Sequence, residues 1–185
     1  ACVGVEAEQQ GKRVSLDARN VVISDGGFQA NQELLREFVT REPAKIRQRN
    51  AQTATGDGLT MARQVGAALV GMKNFYGHPL IQDALTNDDL WPFPVMDDLC
   101  VAGVMVDTSG KRFVDEGLGG VYLANHIAGM ADPLSTIVIY DQPIWDGPGK
   151  AFITPANPLI VTNGGTVHKG NTITEIAQKL GLPAG

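Results

Sequence analysis

The side chains of this sequence best suited to chemistry are few and widely spaced. The β-branched run Val21-Val22-Ile23 breaks on Gly26, Gly27 and Phe28. Adjacent glycines let a backbone turn with positive φ, or approach a ligand more closely than any Cβ permits. A strand-to-helix turn that touches nothing is the alternative, and these residues alone leave both open. Thr55-Gly56-Asp57-Gly58 repeats the theme, two glycines flanking a carboxylate just before the helical run Leu59, Met61, Ala62, Val65. Asp57 can cap that helix and do nothing else. Of three histidines, His78 is the candidate, because Pro79 restrains it to extended geometry and so fixes the direction of its imidazole. A hydrogen-bonded structural histidine is the competing reading. Arg112, Glu116 and Tyr122 add a cation, a carboxylate and a phenol within eleven residues of one another. Asp97-Asp98 offers two carboxylates without further clustered ligands, so no metal site is expected.

The elements that must position these groups read as follows. Cys2 to Glu8 and Arg13 to Ile23 alternate about the turn Gln10-Gly11-Lys12, which is a hairpin whose second strand becomes fully apolar at Val21. Asn31 caps a helix beginning Gln32-Glu33-Leu34-Leu35, with Glu33 in the first turn where the macrodipole favours it. The basic stretch Arg41, Lys45, Arg47, Arg49 reads as a solvated face. Val70 to Leu80 is extended, and Trp91-Pro92-Phe93-Pro94 is a stiff loop or sheet edge that can donate few backbone hydrogen bonds. Val104 to Val114 is a hairpin turning at Asp107-Thr108-Ser109-Gly110, and Leu134 to Tyr140 is a further strand. The Pro/Gly-rich run from Gln142 to Gly164 is a long loop available to line a substrate. Thr172 and Glu175 form a capping box for a last helix that Gly181 and Pro183 stop.

Composition narrows the class. A chain of 185 residues, 43% hydrophobic, can bury a core in one domain or in one domain plus part of another. Its net charge of −5 argues against nucleic acid or an anionic membrane surface as partner. No apolar run reaches the length of a membrane span, and no basic-then-apolar leader opens the sequence. Cys2 and Cys100 lack zinc-like spacing and read as reduced core thiols rather than a disulfide pair, which points to the cytoplasm. The start at Ala1-Cys2, in strand-like sequence and without methionine, is the reading expected of a fragment.

In order and spacing, Val-Val-Ile-Ser-Asp-Gly-Gly-Phe-Gln-Ala-Asn, then Asn50 with Thr55-Gly56-Asp57-Gly58, Met61-Ala62 and Gly66-Ala67, then Gly110-Lys111-Arg112-Phe113-Val114-Asp115-Glu116 resemble successive signatures of one flavoprotein family. It is the family of fumarate reductase and succinate dehydrogenase flavoprotein subunits, with the 3-ketosteroid and tricarballylate dehydrogenases. The resemblance implies an α+β fold in which residues 1–30 are terminal strands of the flavin-binding domain and residues 31–185 form the cap, or substrate, domain. It implies FAD as cofactor of the parent protein, contacted by Gly26, Gly27, Phe28, Thr55, Gly56, Asp57 and Gly58. His78 then matches a histidine that binds the substrate carboxylate, with Arg112, Glu116 and Tyr122 as further site residues. The implied reaction moves hydride between flavin and a carbon–carbon bond beside a carboxylate or ketone of a small-molecule substrate. Two departures qualify this. The sequence has no G-x-G-x-x-G to hold a pyrophosphate, so the remainder of the flavoprotein chain must supply it. Gly117 to Tyr122 also lacks the arginine that delivers a proton in fumarate reductases. A ketosteroid-type dehydrogenase using tyrosine as acid or base, and a non-catalytic ligand-binding module, are the alternatives.

Overall fold

The computed structural model describes residues 2–183. It is α+β, with two two-stranded antiparallel sheets and short helices. The first sheet pairs β1 (Gly4–Gln9) with β2 (Lys12–Asp17), joined by Gln10 at φ 53° and Gly11 at φ 73°. Two consecutive positive φ values match a two-residue turn to the twist of a hairpin. Both strands are largely exposed on both faces, Leu16 being 54% accessible. A two-stranded ribbon without cover is marginal by itself.

The expected continuation of β2 through Val21-Val22-Ile23 is not formed. Ala18 N–H donates to the Val3 carbonyl at 2.8 Å, and beyond it these three residues join no strand, with Val22 86% exposed. β-branched residues suit a pleated, half-buried surface, and among the described residues no strand lies beside them to make one.

Helix α1 (Gln32–Phe38) begins as its sequence requires: Asn31 Oδ1 accepts from the N–H groups of Glu33 and Leu34 at 3.0 and 3.1 Å. Helix α2 (Asp57–Gln64) follows Gly56, which sits in the left-handed region at φ 82°. The core lies further on, where Met96, Leu99, Cys100, Met105, Leu123, Trp145, Ala156 and Ile160 pack together. Met96 stands just before α3 (Asp97–Ala102), and the others come from α3, β3 (Val104–Asp107), α4 (Gly120–Ala128), α5 (Gln142–Asp146) and α6 (Ala156–Thr162).

Two further expectations are corrected. Val104–Val114 is not a full hairpin: its return leg makes one bridge, Val106 to Arg112, and β3 pairs instead with β4 (Thr136–Ile139), Met105 opposite Val138. Asp107 Oδ1 collects the Ser109 N–H, the Ser109 hydroxyl and the Lys111 N–H, so the turn closes on a side chain and needs no ladder behind it. The run 142–164 is not a loop. Asp141 caps α5 by accepting from Ile144 N–H, Pro143 stands in the first turn where its missing N–H costs nothing, and Trp145 is buried in the core. Helix α7 (Ile173–Leu180) is capped as expected, Thr172 Oγ1 accepting from Glu175 N–H at 3.1 Å, with Gly181 at φ 66° after it.

Candidate functional site

The two glycine motifs meet in space. Ala30 N–H donates to the Ala54 carbonyl at 2.9 Å, and Asn31 Nδ2 donates to the Thr55 carbonyl at 3.0 Å. Asp25 Oδ2 accepts from Gly58 N–H at 2.6 Å. The glycines have separate reasons. A Cβ at Gly56 would stand 2.6 Å from Leu34 and 2.8 Å from Phe28, and one at Gly58 would stand 2.2 Å from both Asp25 and Ile23. Those two are required by the packing of this chain. Gly26, at φ 96°, has only Ala54 near it, at 3.9 Å, and leaves an open edge beside Val21–Ile23. Thr55 Oγ1 donates to Asp57 Oδ1 at 3.2 Å.

This arrangement fits an edge contact to a dinucleotide and does not fit a cradle for one. The start of α2 would be the natural place for a phosphate, since free N–H groups there attract anions. Asp25 already occupies it.

A groove of about 1210 Å³ runs from Gly27 and Phe28 past Tyr76 and His78 to Met105 and Val138. It exceeds the usual range for small-ligand pockets, roughly 300–1,000 Å³. Arg47 and Arg49 also line it, their guanidinium carbons 4.6 Å from the Trp91 ring centroid and 5.3 Å from that of Phe93. Arg47 is therefore not part of a solvated face, since it also donates to the Ala84 carbonyl and to Asp88, at 2.8 and 2.9 Å, whereas Arg49 is exposed. Their signal was in the sequence. Residues i and i+2 of an extended segment share a face, and both Arg47/Arg49 and Trp91/Phe93 have that spacing.

His78 is fixed as its place before Pro79 suggested, by a partner that the sequence did not reveal. Its Nδ1 lies 3.0 Å from Asp97 Oδ1, and the Tyr76 ring meets its imidazole edge-on at 5.2 Å. Asp97 sits in the first turn of α3, and its carboxylate fills the position that a Cβ on Gly120 would take, 1.8 Å from Oδ1. A side chain at 120, arginine included, would displace Asp97. Among the described residues, no group of three or more His, Cys, Asp or Glu could hold a metal ion.

Arg112, Glu116 and Tyr122 do not line the groove. Arg112 donates through Nε and Nη2 to Glu116, whose Oε1 also accepts from Met105 N–H at 2.7 Å. Burial pushes the Glu116 carboxyl upward, but the Arg112 and Met105 hydrogen bonds outweigh it and hold the group below the usual glutamate range. The pair latches β3 to the turn after it. Tyr122 stacks on His126 with centroids 6.2 Å apart, and His126 stacks in turn on Phe113 at 5.7 Å while meeting the Phe113 carbonyl at 3.2 Å. The Cys100 thiol is pushed up to about 12 by burial and by the charges of Asp97 and Glu116, which makes it a packing residue and no nucleophile.

Comparison with known proteins follows the same lines. Residues 1–145 match the family described as FAD binding domain. The chain is 27% identical over 174 residues to 3-oxosteroid 1-dehydrogenase of Mycolicibacterium smegmatis, covering 89% of this chain and 30% of that protein. It is 27% identical over 186 residues to urocanate reductase of Eggerthella lenta, covering 100% of this chain and 30% of that protein. In fold it is similar to 3-ketosteroid-Δ4-(5α)-dehydrogenase from Rhodococcus jostii RHA1, solved in complex with 4-androstene-3,17-dione, with a TM-score of 0.62, 24% identity, and coverage of 99% of this chain and 34% of that one. The chain thus spans about a third of the length of these relatives. Among the described residues no helix is long and apolar enough to cross a membrane.

Proposed function

We propose, because this chain belongs to the FAD binding domain family, that it is the substrate-covering part of an FAD-dependent oxidoreductase acting on a carbon–carbon bond beside a ketone or carboxylate. The observation that carries this reading is the groove itself, which joins Gly27 and Phe28 of the glycine loop to His78. Residues 1–30 are assigned to the flavin domain and 31–185 to the cap. Val21–Ile23 and Gly26 then present their exposed edge to the remainder of the parent chain, which supplies the pyrophosphate site. Hydride exchange with the substrate is the chemistry that flavin supplies when bound. The residues here bind and orient: the groove shields the substrate from water, and His78 contacts it. Arg112 and Glu116 act as a latch behind β3, and Tyr122 belongs to the aromatic stack.

Between the two substrate classes the observations favour the ketone. Carboxylate-activated alkene reduction needs a cationic acid placed opposite the hydride donor, and Asp97 occupies the space in which a side chain at 120 would lie. For the chain by itself, the occupied start of α2 favours the second reading, a ligand-binding module without chemistry of its own. The free cysteines, Cys2 exposed and Cys100 buried, support the cytoplasm as compartment.

The test is anaerobic mixing of the flavin-loaded parent with 4-androstene-3,17-dione, and of its reduced form with fumarate, followed by flavin absorbance. Bleaching by the ketone supports the reading, and His78→Ala should slow it by at least about a hundredfold, the lower end of what a positioned acid or base contributes. An unchanged rate removes His78 from the site.

A further inference from the structure

We infer that Asp97 is a positioning residue that holds His78 as its Nδ1–H tautomer and so turns a bare Nε2 toward the groove as a hydrogen-bond acceptor. A carboxylate can only accept, so the 3.0 Å contact between Asp97 Oδ1 and His78 Nδ1 places the proton on Nδ1. A neutral imidazole carries one N–H, which leaves Nε2 without a proton. Among the described residues Nε2 has no hydrogen-bond partner, and His78 lines the groove while Asp97 does not. The imidazole therefore stands between the carboxylate and the cavity.

Two features hold the carboxylate in place. Side-chain exposure is only 18% for His78 and 22% for Asp97, so water competes weakly for the bond. Gly120 provides the room for Oδ1, since a Cβ there would lie 1.8 Å away.

The consequence separates ligand classes. An acceptor nitrogen takes a hydrogen bond from a hydroxyl or enol, and it can receive a proton from the carbon beside a carbonyl. In that transfer the C–H bond breaks, the N–H bond forms, and the electron pair stays on the substrate as an enolate, with Asp97 facing the resulting imidazolium. A carboxylate offers only acceptors and meets another acceptor. This part of the inference rests on the groove being the substrate site; the tautomer does not.

The experiment is long-range proton–nitrogen correlation NMR of the histidine rings in the flavin-loaded parent protein, above the pH at which imidazoles titrate. Wild type should show a protonated Nδ1 and a bare Nε2 at His78. Asp97→Ala and, independently, Gly120→Ala should both lose that pattern, while the His126 and His168 signals stay in place. A bare Nδ1 in wild type overturns the inference outright, even if a variant fails to fold, and so does a pattern that survives both substitutions. Phenol, an enol-like donor, should shift His78 Nε2, and succinate should not. A succinate shift as large as that of phenol overturns the acceptor role. If neither probe moves Nε2 while the tautomer pattern holds, the substrate-site reading fails and the positioning by Asp97 stands.

Discussion

Replacing Glu116 by alanine should cost this chain about 1–3 kcal/mol of stability. Glu116 is 3% exposed and accepts from Met105 N–H, so its loss leaves a buried backbone donor unpaired, a penalty of ~1–3 kcal/mol. Arg112 is 60% exposed, so water replaces its lost partner. For a chain of this size that penalty lowers the melting temperature by roughly 2–12 °C. Urea unfolding followed by circular dichroism measures it. Acid separates the charge from the geometry. Because the folded-state Glu116 carboxyl titrates below its ordinary value of 4.5, its contribution is complete above that value and is lost as pH falls through the folded-state one. Glu116→Gln keeps an acceptor for Met105 and should differ from wild type at neutral pH, with the gap closing on acidification. A Glu116→Ala protein within about 0.5 kcal/mol of wild type, or a Glu116→Gln gap independent of pH, refutes the latch.

Two other substitutions test the frame. Gly58→Ala places a Cβ 2.2 Å from Asp25 and Ile23 and should break the Asp25 cap, costing ~1–2 kcal/mol with faster amide exchange in the first turn of α2. Ile160→Ala, at a fully buried position, should cost ~2–5 kcal/mol by urea unfolding, because α6 is a core element and no part of a loop.

What could be read from the sequence was local. The first hairpin followed from Gln10-Gly11, α1 from Asn31, and α7 from Thr172 with Glu175, because each signal sits within a few residues of what it determines. Val21–Ile23 carried a strand pattern that only a neighbouring strand could realise. The stretch from Gln142 to Gly164 misled through its prolines and glycines, although Asp141 and Pro143 together mark a helix start. At the site, the fixed direction of the His78 ring was legible beside Pro79. Asp97 was not, since a partner 19 residues away leaves no pattern, and a pair of aspartates suggests cation binding before it suggests a histidine. The contact between the two glycine motifs, Asp25 on Gly58, is tertiary and left no local pattern to read.

The most direct test of the central claim is the visible spectrum of the flavin-loaded parent beside a titration of this 185-residue chain with FAD. A yellow parent and a chain that stays colourless are expected, because the start of α2 is taken by Asp25 and the described residues hold no phosphate cradle. A chain that binds FAD tightly by itself, or a parent that binds none, contradicts it.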